Sequence, residues 1–312
     1  MKLYKYMPGK RACEFFELPL LRLANPNGLN DPFEFSLTKE LSRNIQNMHS
    51  KQGTREEGFI NYIENFMSFG VISLSETYDN LLMWSHYADE HRGAVFELTI
   101  DGDNPNSLFI HAPPLPMPES KHFGKVDYRK FRSYQGEISS ESIPDIRRHY
   151  IFTKSDEWMY EKEQRFAFHH SYADIVKVNR GQCQKAFQVK GLDFSEFESR
   201  AGVVADGEDL WIDIQQSEIS AEMLKQMWIM TQIMSSIFLK IVDFGRVTKV
   251  ILGCRQNNNF IDQAIQNKQN PIAAGKFYDN GKFINVLKAR PSEERFELDF
   301  EEYRGVLLSI LR

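Results

Sequence analysis

Apolar positions along the chain form short alternating runs near the N-terminus and longer helical stripes further on. Leu3-Tyr4-Lys5-Tyr6 predicts a strand, closed by Met7-Pro8-Gly9. Ala12 to Leu18 suits a helical turn, and Leu20 to Leu23 a second short strand. The run Asn25-Pro-Asn-Gly-Leu-Asn-Asp-Pro32 is dense in turn formers and predicts a loop that carries polar side chains. From Thr38 to Phe69 the spacing is helical, with Ile45, Met48, Phe59, Ile60, Ile63 and Phe66 directed inward. Val71 to Ser75 reads as a buried strand. Asp79 is expected to cap a helix through Leu82, Trp84, Tyr87 and His91, with Gly93 ending it. Ala94 to Ile100 is a strand, and 101 to 124, rich in Pro, Asn and Gly, an irregular excursion.

The last third changes character. Ser220 is placed to cap one long helix whose stripe runs through Leu224, Met227, Trp228, Thr231, Met234, Phe238 and Ile241. A strand (Lys249 to Leu252), a helix (Phe260 to Gln266) and a strand (Phe283 to Lys288) follow as a β-α-β unit. The sum is an α+β fold with a mixed sheet: one domain over 1–312, with 215–312 packed on it as a C-terminal extension.

Composition narrows the classes. The net charge of -5 gives no bulk attraction to nucleic acid, leaving only local basic clusters at Arg129-Lys130-Phe131-Arg132 and Arg147-Arg148. Cys13, Cys183 and Cys254 are far apart, without metal-binding or disulfide spacing, as expected in a reducing cytoplasm. The start, MKLYKYMPGKR, has no apolar core like that of a secretory leader. No uncharged apolar run reaches the ~20 residues of a spanning helix. A cytoplasmic protein without a membrane partner is expected.

Candidate chemistry concentrates in Trp158-Met-Tyr-Glu-Lys-Glu-Gln-Arg-Phe166. On a helix Glu161 and Arg165 make a weak i,i+4 pair. The alternation of Arg165-Phe-Ala-Phe-His169 favours instead a strand that begins near Glu163. Two carboxylates on one face suit chemistry that passes through an oxocarbenium-like cation, although Glu-x-Glu alone is a weak signal. Ser73-Leu74-Ser75 puts two hydroxyls on one strand face; serines bonding to backbone is the plainer reading. Asn30, Asp31 and Glu34 are ordinary turn residues unless brought to a site. His86 and His91, five apart, do not share a helix face, so no metal pair is expected there. Phosphate-loop, nucleophile-elbow, zincin and dinucleotide glycine motifs are absent from the sequence.

Taken together, Leu3-Tyr-Lys-Tyr6, Leu29-Asn-Asp-Pro-Phe-Glu34, Ile72-Ser-Leu-Ser-Glu76, Met83-Trp-Ser-His-Tyr-Ala88 with His91 and Gly93, Trp158-x-Tyr-Glu-x-Glu-x-Arg165 and Val250-Ile-Leu-Gly253 resemble the bacterial domain-of-unknown-function family 2971. More loosely, their order resembles the mono-ADP-ribosyltransferase fold, with its split mixed sheet and flanking helices. That resemblance implies NAD as co-substrate and no metal. It makes Glu163 the catalytic carboxylate and Glu161 the acceptor-side one, with Ser73 and Ser75 supporting the site. Lys5 or Tyr6 stands at the first-strand NAD position, where Arg or His is usual; Tyr87 stacks on nicotinamide, and Asn30 and Asp31 lie on a substrate or NAD loop. It also implies a toxin or phage-defence effector with a nucleic-acid or protein acceptor, nucleic acid slightly ahead, and a neutralising antitoxin partner. Two other classes compete: a non-catalytic binding module in which the glutamates pair with Arg165, and a metal-dependent nuclease using Asp31, Glu34, Glu161 and Glu163.

Overall fold

A computed structural model describes residues 1–51, 66–111, 122–139, 141–256 and 284–303. In chain order the strands are β1 (Lys2–Met7), β2 (Leu20–Leu23), β3 (Phe69–Ser75), β4 (Ala94–Thr99), β5 (Phe123–Lys125), β6 (Asp127–Arg129), β7 (Thr153–Ser155), β8 (Glu163–His169), β9 (Ile175–Asn179), β10 (Val203–Asp206), β11 (Asp209–Asp213), β12 (Ile237–Ile241), β13 (Val247–Leu252), β14 (Asn285–Pro291) and β15 (Leu298–Glu302). The helices are α1 (Gly9–Glu17), α2 (Lys39–Lys51), α3 (Leu81–Tyr87), α4 (Ile143–Ile151), α5 (Arg180–Val189), α6 (Phe194–Glu198), α7 (Ala221–Ile229) and α8 (Thr231–Met234). The architecture is α+β. An eight-stranded mixed sheet runs β15-β14-β13-β4-β1-β3-β8-β5, and a five-stranded antiparallel sheet runs β10-β11-β9-β12-β2.

Side-chain alternation explains how the sheets meet. Leu3, Met7, Ile72, Leu74, Phe166 and Phe168 of the larger sheet join Leu21, Val176, Ile212 and Phe238 of the smaller in one buried cluster between them. The opposite face of the larger sheet carries two separate clusters. Around β1, Tyr4, Tyr6, Val95 and Ile251 pack beneath Met83 and Trp84 of α3. Around β3 and β8, Val71 and Ala167 pack with Ile45, Phe66, Ile146 and Tyr150. Between these two apolar patches the same face presents Ser73, Ser75, Glu163 and Arg165, with Ser75 opposite Glu163 and Ser73 opposite Arg165.

The sheet is nearly parted beside that polar island. β1 and β3 share one directly paired couple, Tyr4 and Ser75. Further along, β3 takes Ala24 as partner, through Ala24 N to Val71 O at 2.8 Å and Val71 N to Ala24 O at 3.0 Å.

Several local expectations need correction. Asn80, not Asp79, caps α3, its Oδ1 accepting from Leu82 N at 2.9 Å and Met83 N at 3.1 Å. The helix stops at Tyr87, and Asp89, Glu90 and His91 turn with positive φ. His91 is therefore off the helix end and stacks on Trp84, ring centroids 6.1 Å apart. Gly93 does not end α3; a Cβ there would lie 2.0 Å from Met7 O, so the residue permits a close backbone crossing. Ser220 does cap α7, its Oγ accepting from Met223 N at 3.2 Å. The long helix, however, breaks after α8 at Ser235 (φ 49), and Phe238 and Ile241 lie on β12. There β-branched and aromatic residues pair with β2 and β9 instead of extending a stripe.

Phe69 begins a strand rather than ending a helix. Phe59, Ile60 and Ile63, and the expected helix from Phe260 to Gln266, lie outside the described residues. β13 and β14 are parallel neighbours, the pairing that a β-α-β crossover requires. Segment 215–303 supplies strands to both sheets, and β15 adds an edge strand that periodicity did not suggest.

Candidate active site

The island's charged residues form one buried network at the floor of a cleft of about 180 Å³. Residues 156–161 make a tight 3-10 turn, Lys162 adopts a left-handed conformation (φ 44), and β8 starts at Glu163. The turn is fixed to β3 by Ser75, whose hydroxyl donates to Glu161 O at 2.7 Å, and by Glu76 N donating to Lys162 O at 2.9 Å. These bonds aim Glu161 and Glu163 at the same space although one lies in a turn and the other on a strand.

Glu163 is almost fully engaged. Arg165 donates to it from Nε at 2.6 Å and from Nη2 at 2.9 Å, and Ser73 adds a side-chain hydrogen bond. Arg165 also grips Glu34 and donates from Nη1 to Ile151 O at 2.7 Å. Burial alone would raise the Glu163 pKa, but the Arg165 charge and its bonds outweigh that and hold it well below the usual carboxylate range. Glu163 therefore stays an anion clamped in place.

Glu161 is buried too, but its partners differ. It accepts from Tyr87 OH at 2.5 Å and from Lys154 Nζ at 2.6 Å. Burial, with the neighbouring Glu163 charge, raises its pKa, and the Lys154 and Tyr87 contacts only partly counter this. Lys154 also stands 3.3 Å from Glu34 and 3.6 Å from Glu163. Burial disfavours its charge, but the three carboxylates prevail and raise its pKa. Glu161 thus accepts one bond at each oxygen, whereas Glu163 accepts two from Arg165 and one from Ser73.

Lys5 closes the other side. Its Nζ donates to Ser73 O at 2.9 Å, across the gap where β1 and β3 separate. Burial, with the charges of Arg11 and Arg22, lowers its pKa to about 8 despite support from Glu163. Asn30 Nδ2 approaches Tyr87 OH at 3.4 Å and extends the Glu161–Tyr87 chain to the cleft's exposed lip.

Of the residues singled out in the sequence, Lys5, Tyr6, Ser73, Ser75, Asn30, Tyr87, Glu161 and Glu163 all line this cleft. Asp31 does not line it; its Oδ1 accepts from Phe33 N at 2.9 Å and shapes the loop that carries Asn30 and Glu34. Tyr87 bonds Glu161 through its hydroxyl. Lys154 was missed: it sits alone on the three-residue β7, with no motif around it. Tyr128, missed likewise, accepts from Glu163 N at 2.8 Å.

The basic clusters fare unequally. Arg147 lies over Phe69 and Arg148 over Phe152, so both are occupied by local stacking. Arg129 is paired with Asp127. Arg132 braces the 33–36 turn, donating to Phe33 O at 3.2 Å and Ser36 O at 3.1 Å.

Among the described residues no cluster of His, Cys, Asp or Glu is arranged to hold a metal ion. Glu34, Glu161 and Glu163 converge on Lys154, and Arg165 bridges Glu34 and Glu163. No helix among the described residues is long and apolar enough to cross a membrane. Comparison of the chain with protein-family models, with curated proteins and with solved structures returned no match.

Proposed function

We propose that this protein transfers ADP-ribose from NAD to a macromolecular acceptor, using the cleft between β1 and β8. One observation carries the reading: Lys5, Ser73 and the Glu161–Glu163 pair, drawn from β1, β3 and the start of β8, face a single cleft. That convergence is the arrangement that the resemblance to the mono-ADP-ribosyltransferase fold implies. At about 180 Å³ the enclosed space is below the ~300–1,000 Å³ of whole-ligand pockets, so it suits one ring and its sugar, not an entire dinucleotide.

NAD supplies a glycosidic bond whose cleavage leaves neutral nicotinamide and cationic character at the ribose. Glu163, held ionised by Arg165, supplies fixed negative charge beneath that centre. Glu161 is the better proton acceptor, because its pKa is raised and its oxygens are less occupied. On this view it takes the acceptor's proton as the new bond forms, and Tyr87 and Lys154 hold its position. These roles follow those implied by the resemblance, which made Glu163 the catalytic carboxylate and Glu161 the acceptor-side group.

Nucleic acid is the favoured acceptor. Phe33 and Phe131 are 61% and 78% exposed, with the Arg132 guanidinium 5.3 Å from the Phe33 ring, beside cleft-lining Asn30 and Glu34. Exposed rings interleaved with cations suit stacking of unpaired bases. The same resemblance supports a defence effector or toxin that is held in check by a partner.

A second reading, a ligand-binding module without catalysis, gains from the saturation of Glu163. Incubation with NAD labelled in its adenylate, together with separate RNA, DNA and protein pools, separates the two. Label should pass to nucleic acid with release of nicotinamide. Thermal stabilisation by NAD without label transfer or nicotinamide release would instead favour the binding module.

A further inference from the structure

The cations beside the cleft are unevenly compensated. Arg11 is paired with Glu14 at 2.8 Å, and Lys5 feels the negative charges of Glu163 and Glu161. Arg22, exposed on β2, makes no ion pair among the described residues. Its Nη2 lies 3.0 Å from where a Cβ on Gly28 would be, and Gly28 lines the cleft. Without an ion pair among the described residues, the Arg22 guanidinium is available to an anionic ligand at the Gly28 lip. Beyond burial, the charges of Arg11 and Arg22 both act on Lys5, which puts the three cations in one neighbourhood.

We propose that Arg22, assisted by Lys5 and Arg11, forms a diphosphate subsite at the Gly28 lip of the cleft. The guanidinium offers a planar fork that a phosphate can accept in two places, and Lys5 adds a point charge from inside. A dinucleotide would then run outward from the ribose pocket over Gly28, where the missing side chain leaves room. Naming the ligand a dinucleotide rests on the transfer reading; the anion site does not.

Titration calorimetry on the full chain with inorganic pyrophosphate, NAD and nicotinamide riboside tests this. Arg22→Ala should weaken pyrophosphate and NAD by about tenfold or more, the scale of one charge-assisted contact, and leave the riboside unchanged. Arg22→Lys should recover part of the loss, since it keeps the charge but not the fork. The unliganded melting temperature of Arg22→Ala should be unchanged or higher, which separates a binding role from a structural one. Pyrophosphate binding that depends on Arg22 without any NAD binding would uphold the subsite and remove the transfer reading. Failure of the wild type to bind pyrophosphate, or binding indifferent to Arg22→Ala, would overturn the subsite.

Discussion

Lys5 Nζ donates to the carbonyl oxygen of Ser73 at 2.9 Å, a side chain standing where a strand partner's amide would be. The bond ties the two strands together where their ladder has stopped, and holds an ammonium at the mouth of a carboxylate-lined cleft. Lys5 carries a lowered pKa, near 8 against an ordinary 10.5, chiefly because burial disfavours its charge. Between these values the unfolded chain binds more protons than the folded one, so this group's contribution to stability rises with pH across that window. Ligand binding should run the other way. Pyrophosphate affinity is expected to fall as pH rises through about 8, with proton uptake on binding near that pH. Calorimetry in buffers of different ionisation enthalpy reads the uptake directly, and a flat affinity between pH 7 and 9 would count against Lys5 as a ligand contact.

Glu161 and Glu163 should separate when each is changed to Gln. Glu163→Gln leaves Arg165 with Glu34 as its remaining carboxylate, and breaking a buried pair in this way costs roughly 3–5 kcal/mol. After Glu161→Gln, Lys154 still has Glu34 at 3.3 Å and Glu163 at 3.6 Å. Its stability loss should be smaller than that of Glu163→Gln, because Lys154 keeps two carboxylates, while NAD turnover disappears. Denaturant melts paired with a nicotinamide-release assay measure both effects. A stable, fully active Glu161→Gln protein would refute the role assigned to Glu161.

Tyr87→Phe removes a donor that favours the ionised form of Glu161. The Glu161 pKa, already raised by burial, should rise further, and the acid limb of the transfer rate should move to higher pH. Loss of a bond to a charged acceptor is expected to cost about 1.5–3 kcal/mol of stability. The pH profile is the discriminating measurement, because a merely structural tyrosine would lower the rate without shifting the limb.

Gly93→Ala probes the scaffold. The new Cβ would meet Met7 O at 2.0 Å, and the obstacle is backbone in a central strand. Gly253, whose N donates to Gly93 O at 2.9 Å, crowds the same crossing. Destabilisation at or above the ~3 kcal/mol end of overpacking is expected, read by thermal melting. A melt matching the wild type would mean that this crossing is looser than described.

Much of this was legible in residue order, for identifiable reasons. Strand periodicity marked β1, β3 and β8, because both faces of each must be filled in a fixed alternation. Glu161 and Glu163 stood out less by themselves than by their place after the Ser73-Leu74-Ser75 strand and the aromatic helix, with a period-two run following. Lys154 left no trace, since a lysine on a three-residue strand is defined by the distant Glu34, Glu161 and Glu163 that surround it. The break after Met234 was hidden for a related reason. Phe238 and Ile241 fit a helical stripe as well as a strand, and pairing with Leu23 and Leu20 across the smaller sheet decided between them.

The single couple Tyr4–Ser75 gives the larger sheet a hinge line. The Trp84 cluster belongs to one leaf and the Phe66–Tyr150 cluster to the other, and each leaf is internally well packed. Side-chain bonds, among them Lys5 to Ser73, Tyr87 to Glu161 and Asn80 to Tyr160 O, act as latches across the line. A molecule that touches Lys5 and Glu161 together would join the leaves as a further latch. Occupancy should then be felt as stiffness, with slowed amide hydrogen exchange along β1 and β3 together, well beyond the residues in direct contact.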